Sequence, residues 1–321
     1  MTAQLGISLG TDPSTLSEWT TARMPDLTGN TIVITGANSG IGLETARAFA
    51  EHGAHVVLAV RDESRGRAAA ATLAGSTEVR ALDLADLDSI RQFAAAWHGD
   101  IHTLVNNAGV LVPPFGLTKD GFELQFGINH LGHFALTNLL LPHTTGRVVT
   151  VASSQHHTAS IDVDDLNWTT RRYRRGKAYG QSKLANLLFT LELQRRLAAS
   201  GSPVVAMAAH PGWASTNLGS TSYGRLLNTG IGALNRVFAQ DAAAGATPTL
   251  FAATEPIAAG SFVGPSGRRG MAGPPTLVGR SAAASDPIAA ARLWTASENL
   301  TGVSFPLPPN GTTNPSKGIR S

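Results

Sequence analysis

The sequence predicts an α/β protein built on one doubly wound parallel sheet, and two observations carry that prediction. From residue 31 onward, short β-branched runs alternate with Ala- and Leu-rich stretches of helical length, the pattern of parallel strands joined by crossover helices. The runs are also apolar without strict alternation, as in VVLAV and RVVTVA. That suits strands covered on both faces rather than hairpins with one wet face.

Taken in order, the expected strands are TIVITG, AHVVLAV, EVRALDL, IHTLVNNAG, GRVVTVASS, PVVAMAAH and GSFVG, seven in all. Helices are expected over residues 40–51, 63–73, 87–97, 121–141 and 178–198, each free of internal proline. Residues 1–26 lie outside the pattern and read as an N-terminal extension. Residues 27–264 read as the single domain. Residues 265–321 are rich in Gly and Pro, with one helical piece over 287–297, and read as a C-terminal extension packing on or near the substrate side.

Length and composition fit that architecture and exclude several function classes. A chain of 321 residues, 42% hydrophobic and 15% charged, can bury one large core. No apolar run approaches the ~18 residues that span a bilayer, and the N-terminus lacks the pattern of a secretory signal. With no cysteine there is no disulfide framework, thiolate nucleophile or cysteine metal site, so a cytoplasmic protein without a membrane span is expected. The net charge of +3 is small and mostly scattered, which argues against a nucleic-acid groove. The one basic cluster, Arg171, Arg172, Arg174, Arg175 and Lys177, reads as a solvated loop.

The first strand runs into ANSGIGLETARAFA, a glycine-spaced turn followed by a helix. Gly36, Gly40 and Gly42 let the backbone approach a pyrophosphate, and the amides of Asn38, Ser39 and Ile41 lie where a helix N-terminus holds an anion. A strand before and a helix after are the context this motif requires, so a Rossmann-like dinucleotide fold is expected. The second strand ends in Arg61-Asp62. An arginine there favours the 2′-phosphate of NADP(H) over NAD(H), while Asp62 stays open as a ribose ligand. Asp83 and Leu84, after the third strand, are expected near adenine, although Asp83 also suits a helix cap. Asn107, Ala108 and Gly109, after the fourth, are expected to let the cofactor lie close to the backbone.

In AYGQSKLAN, Tyr179 and Lys183 are four residues apart on an expected helix and share one face. A phenol near pKa 10 is a poor acid or base at neutral pH. A nearby ammonium stabilises the phenolate by about 3–4 kcal/mol at an effective dielectric near 20, which is expected to bring Tyr179 towards neutrality. Ser154 closes the fifth strand, where a hydroxyl can donate to a carbonyl oxygen as charge builds. Asn129, in FGINHLGHF, is expected to hold a water linking Lys183 to solvent.

Together TGANSGIG, NNAG, the Asn129 segment, VASS, YGQSK and HPGWAST resemble the short-chain dehydrogenase/reductase family over roughly residues 27–264. Arg61-Asp62, the long loop before Tyr179 and SKLANLLFTLEL resemble its retinol dehydrogenase-like branch, which includes protochlorophyllide reductases. The resemblance implies that Tyr179 is the acid/base and that Lys183 tunes it and binds the nicotinamide ribose. It further implies that Ser154, rather than the structural Ser153, orients the carbonyl and that Asn129 completes a proton relay. Pro211, Gly212, Trp213 and Thr216 match the segment that contacts the carboxamide. The protochlorophyllide enzymes carry an active-site cysteine that this chain lacks, which argues against a light-driven reductase. The hydrophobic anchor of the membrane-anchored retinol enzymes also has no counterpart, so retinoid specificity is not implied.

His130 with His133, and His156 with His157, suggest metal spacing, yet no third ligand follows and hydride transfer needs no metal. They read as packing and loop histidines. Leu111, Phe115, Tyr173, Trp213 and Tyr223 are expected to border the substrate crevice, and residues 213–245 to form a lid. The expected activity is hydride transfer between NADP(H) and an apolar aldehyde or ketone, or the corresponding alcohol. Two alternatives stand: reduction of an enone carbon-carbon bond, and a catalytically silent NADP-sensing scaffold. A homo-oligomer pairing through the Asn129 and Tyr179 helices is also possible in this family.

Overall fold

The computed structural model describes residues 19–212, 231–267 and 270–307, with residues 231–241 described as helical backbone only. Strands β1 (Thr31–Thr35), β2 (His55–Val60), β3 (Thr77–Ala81), β4 (Ile101–Asn106), β5 (Thr144–Val151), β6 (Val205–Ala209), β7 (Phe262–Pro265) and β8 (Pro275–Leu277) form one sheet in the order β3-β2-β1-β4-β5-β6-β7-β8. The first seven run parallel, as the sequence predicts. The eighth is a short antiparallel strand on β7, too brief and too rich in Gly and Pro around it to signal itself. Order reverses between β1 and β4, which are paired directly, and a doubly wound sheet opens its ligand crevice beyond the C-terminal ends of such strands.

Helices α1 (Gly40–Glu51), α2 (Glu63–Ala70) and α6 (Ile231–Thr254) cover one face, where Phe49, Ala69 and Phe251 meet Ile32, Ile34 and Leu58. The other face carries α3 (Leu87–Ala95), α5 (Arg175–Ala199) and α7 (Pro287–Thr301), together with α4. Helix α4 is interrupted: Leu124–Phe126 is α-helical, Gly127–Leu131 is a π turn and Gly132–Leu140 is α-helical again. Near-continuous burial along β1, β2 and β6 is the two-sided coverage that their apolar runs encode.

Both terminal segments expected as extensions contribute core side chains. Trp19 and Met24 are buried; the Trp19 indole donates to Glu255 at 2.6 Å and packs edge-on against Phe251. From α7, Trp294 stacks on Phe189 with centroids 5.7 Å apart and meets Phe134 edge-on at 4.9 Å. The expected lid divides in two. Residues 213–230 lie outside the described residues, whereas 231–245 belong to α6.

Candidate active site

A cleft of about 400 Å³ opens at the C-terminal ends of the strands. Its phosphate end is the β1–α1 turn, where Gly36 (φ +67°) and Gly40 (φ +56°) take left-handed backbone angles that favour glycine. Gly42 serves close packing: a Cβ there would lie 2.5 Å from Asn107 Nδ2 and 2.6 Å from the Gly36 carbonyl oxygen. Asn38, Ser39 and Ile41 line the same turn. Ser39 caps α1 without a side-chain hydrogen bond, and no acidic residue sits in the first turn. In α2 and α3, by contrast, Asp62 and Asp86 accept from first-turn amides. Helix α1 is thus the one of the three whose N-terminal amides are left for an external anion.

At the β2 end, Arg61 and Arg65 are both exposed and both line the cleft. Neither pairs with a carboxylate among the described residues. Asp62, left open as a ribose ligand, accepts from the Arg65 amide at 3.1 Å instead. Arg65, in the first turn of α2, lines the cleft although sequence reasoning passed it over, because no local pattern marks it. Asp83 and Leu84 line the next stretch, and the Asp83 carboxylate accepts from the Ala85 amide.

Asn107, Ala108 and Gly109 form the floor, held by a residue the sequence reading passed over. Thr35 Oγ1 accepts from the Asn107 and Ala108 amides at 2.9 Å each, and shares a 2.9 Å hydrogen bond with His133 Nε2. The other ring nitrogen of His133 meets the Asn129 carbonyl oxygen at 3.0 Å. A carbonyl only accepts, so Nδ1 carries the proton and Nε2 accepts from Thr35. Burial lowers His133 to about 4, which keeps that neutral tautomer at pH 7.

Asn129 lies in the π turn of α4. Its side-chain amide donates to the Val110 carbonyl and to Ser182 Oγ at 3.0 Å each, and its oxygen accepts from the Val110 amide at 2.8 Å. Those three bonds clamp the floor of the cleft to α4 and α5. A Cβ on Gly109 would come within 3.2 Å of Asn129 Oδ1 and 3.7 Å of Lys183 Nζ, so the space above the floor depends on glycine.

Tyr179 and Lys183 share the cleft-facing side of α5, as their spacing predicts. Lys183 Nζ donates to the Val151 carbonyl at 2.9 Å and sits 5.8 Å from the centre of the Tyr179 ring. Both groups are buried. Burial pushes the Tyr179 phenol up, opposed by a hydrogen bond with the Ser153 side chain, and lowers Lys183 to about 8. Desolvation of the phenolate therefore works against the expected fall of Tyr179 towards neutrality.

Of the two serines, Ser153 caps the 3-10 turn Ser154–Thr158, its Oγ accepting from the Gln155 amide at 3.2 Å, and it is Ser153 whose side chain holds the Tyr179 phenol down; Ser154 is the first residue of the turn. The strand ladder explains the offset. Ala152 still donates to the Ala209 carbonyl and Ser153 remains extended (φ −158°, ψ 153°), so the chain turns one residue later than the motif suggests.

Pro211 lines the cleft. Gly212 (φ +73°) lies beside it, where a Cβ would lie 2.4 Å from the Met271 carbonyl oxygen. Trp213, Thr216 and Tyr223 are outside the described residues. Leu111, Phe115 and Tyr173 are not among the residues lining this cleft, whose apolar lining includes Val110, Ile128 and Val151. Phe115 is 52% exposed and meets Tyr173 edge-on at 5.0 Å; the Tyr173 hydroxyl donates to Glu123 at 2.8 Å.

A family model described as short chain dehydrogenase matches residues 30–224. Human retinol dehydrogenase 13 is 42% identical over 294 residues, covering 87% of this chain and 86% of that protein. Human retinol dehydrogenase 12 is 48% identical over 198 residues, 58% of this chain and 62% of that protein. A crystal structure of an uncharacterised Mycobacterium paratuberculosis protein superposes with a TM-score of 0.81 at 53% identity, covering 90% of this chain and 99% of the other.

Proposed function

Because the chain belongs to the short-chain dehydrogenase family, and is an oxidoreductase on that ground, we propose that it carries a hydride between NADP(H) and an apolar aldehyde or ketone, or the corresponding alcohol. The observation that carries the reading is that one cleft holds Tyr179 and Lys183 at one end and a glycine turn with an uncapped helix N-terminus at the other. A glycine floor that a Cβ would crowd fits a flat nicotinamide ring, and Val110 with Ile128 fits an apolar substrate. Two cleft-lining arginines without carboxylate partners among the described residues support the 2′-phosphate of NADP(H) over NAD(H).

The nicotinamide, when bound, supplies or takes up the hydride. The chain's own groups handle the proton. In reduction the Tyr179 hydroxyl gives its proton to the carbonyl oxygen; in oxidation the phenolate takes it back. Ser153 donates a hydrogen bond to the same oxygen as negative charge builds on it. Lys183, charged below about pH 8, supplies positive potential beside the phenol. Since burial holds the phenol up, reduction is expected to persist through neutral pH and oxidation to rise on the alkaline side.

The test is consumption of NADPH and NADH against a panel of apolar aldehydes and ketones, with Tyr179→Phe in parallel. Wild-type turnover with NADPH is expected, and a loss of at least 100-fold in the variant without loss of cofactor affinity. Retained turnover in Tyr179→Phe contradicts the proton role. For the cofactor, Arg61→Ala and Arg65→Ala are each expected to weaken NADPH about tenfold, a charge-assisted hydrogen bond being worth ~1.5–3 kcal/mol, and NADH hardly at all. Equal losses for both dinucleotides would contradict the assignment.

A further inference from the structure

Two loops that adjoin the cleft meet at one buried side chain that the reaction above does not use. The first loop continues the glycine floor: Val110 lines the cleft, and two residues further on Val112 takes φ +44°. A left-handed angle is unfavourable for any residue with a Cβ, and most of all for a β-branched one. Val112 is 39% exposed, so burial of its own side chain does not account for the angle. Its backbone is tied there by a hydrogen bond, the Val112 amide donating to Gln125 Oε1 at 2.9 Å. The second loop leads into α5. Here the Gln125 side-chain nitrogen donates to the Tyr173 hydroxyl at 2.9 Å and to the Arg175 carbonyl at 3.0 Å.

Gln125 lies in the first segment of α4 and is 0% exposed. A backbone amide only donates and a carbonyl only accepts, so these partners admit one orientation of the side-chain amide, with both of its hydrogens used. The Tyr173 hydroxyl donates onward to Glu123 at 2.8 Å, and the Glu123 carboxylate also accepts from the Gln125 and Phe126 amides. The side chain is thus held from its own backbone as well as from both loops. Arg175 opens α5, and in an α-helix its carbonyl is the acceptor for the amide four residues on, that of Tyr179. One end of Gln125 is therefore fastened two residues from Val110 and the other to the helical turn that carries Tyr179, and both Val110 and Tyr179 line the cleft. Farther out, Phe115 packs edge-on against Tyr173 with centroids 5.0 Å apart, so the same two loops also touch directly.

We propose that Gln125 is a positioning residue: by holding Val112 in its left-handed turn against the first turn of α5, it fixes the gap between Val110 and Tyr179 and so selects which carbonyl compounds fit beside the phenol. This rests on Tyr179 and Val110 meeting the substrate in the function proposed above. A costly backbone angle persists only where its surroundings over-determine it, and such angles concentrate where geometry serves a site. Two substitutions separate the bond from the angle. Gln125→Met keeps the length of the side chain and removes all three of its hydrogen bonds. Val112→Gly removes the penalty on the angle, so the turn remains accessible without the bond.

Both single variants and the double variant are compared with wild type as full-length protein, by carbonyl kcat/KM, NADPH affinity, Tm and crystal structure. Gln125→Met is expected to lower kcat/KM for the carbonyl about tenfold or more, a small misplacement at a reacting centre being that costly, with NADPH affinity within about twofold. The preference between a branched and a linear aldehyde of equal carbon number is expected to shift with it. Val112→Gly alone is expected to stay within about threefold of wild type, and in the double variant to recover at least about threefold of the loss. Unchanged kcat/KM and selectivity in Gln125→Met would overturn the proposal. So would a loss that falls equally on NADPH affinity, tracks Tm and is not relieved by Val112→Gly, which would reduce Gln125 to packing. If wild type turns over no carbonyl, the functional reading fails, yet the crystal structures still decide the inference. Val112 is expected to leave the left-handed region in Gln125→Met with a changed separation of Val110 and Tyr179, and an unmoved backbone would overturn it.

Discussion

At the scale of single residues, the geometry of the glycine turn was legible in the sequence and the choice between the two serines was not. Gly36 and Gly40 are demanded by local backbone angles and Gly42 by one close helix-strand approach, so spacing alone identifies them. The choice between Ser153 and Ser154 depends on where the β5 ladder stops, and that is set by the pairing of Ala152 with Ala209 across the sheet. A direct comparison follows. Ser153→Ala is expected to lower kcat by 10²-fold or more, the scale of removing one donor to a developing oxyanion, while Ser154→Ala stays within about threefold; steady-state kinetics with the best aldehyde of the panel decides. The reverse ranking would restore the assignment that the motif suggested. Thr35 and Arg65 escaped sequence reading because their importance lies in partners about 70 residues away or in a cleft wall, neither of which is a local pattern.

At the scale of elements, the π turn of α4 is held by histidines that must stay neutral. Burial lowers His130 to about 3 and His133 to about 4, against an unfolded value near 6.5. Above pH 6.5 both states are unprotonated. As pH falls through 6.5 the unfolded chain binds protons that the folded chain refuses, so stability is lost progressively between about pH 6.5 and 4. Thermal melts over that range are expected to show a fall in Tm that is shallower in His133→Gln; an equal slope in the variant would place the acid sensitivity elsewhere. Helix α7 was visible in the sequence only as a helical piece, because its apolar side chains face α4 and α5 rather than one another in sequence. Trp294 is 1% exposed between Phe134 and Phe189. Trp294→Ala is expected to cost about 3–5 kcal/mol, read as a shift in urea midpoint, and a change below about 1 kcal/mol would mean that α7 is not part of the cooperative unit.

At the scale of the whole molecule, the doubly wound parallel sheet and its covering helices were readable from the alternation of runs, since seven parallel strands need crossover helices and β-branched interiors. The eighth strand and the docking of both terminal segments were not, because a three-residue antiparallel strand and a lone tryptophan carry no periodicity. Among the described residues no helix is long and apolar enough to cross a membrane. The assembled molecule brings a helix end without a side-chain cap, two arginines, a glycine floor and a tyrosine-lysine pair into one cleft, and that convergence is what the functional claim rests on. Transfer of isotope tests it most directly: NADPH deuterated at C4 on either face is incubated with an apolar aldehyde, and the product is analysed by mass and NMR spectroscopy. The account predicts one deuterium on the carbinol carbon from one of the two faces, with no transfer in Tyr179→Phe. Deuterium on a carbon β to a carbonyl, or none with any carbonyl at saturating NADPH, would contradict it.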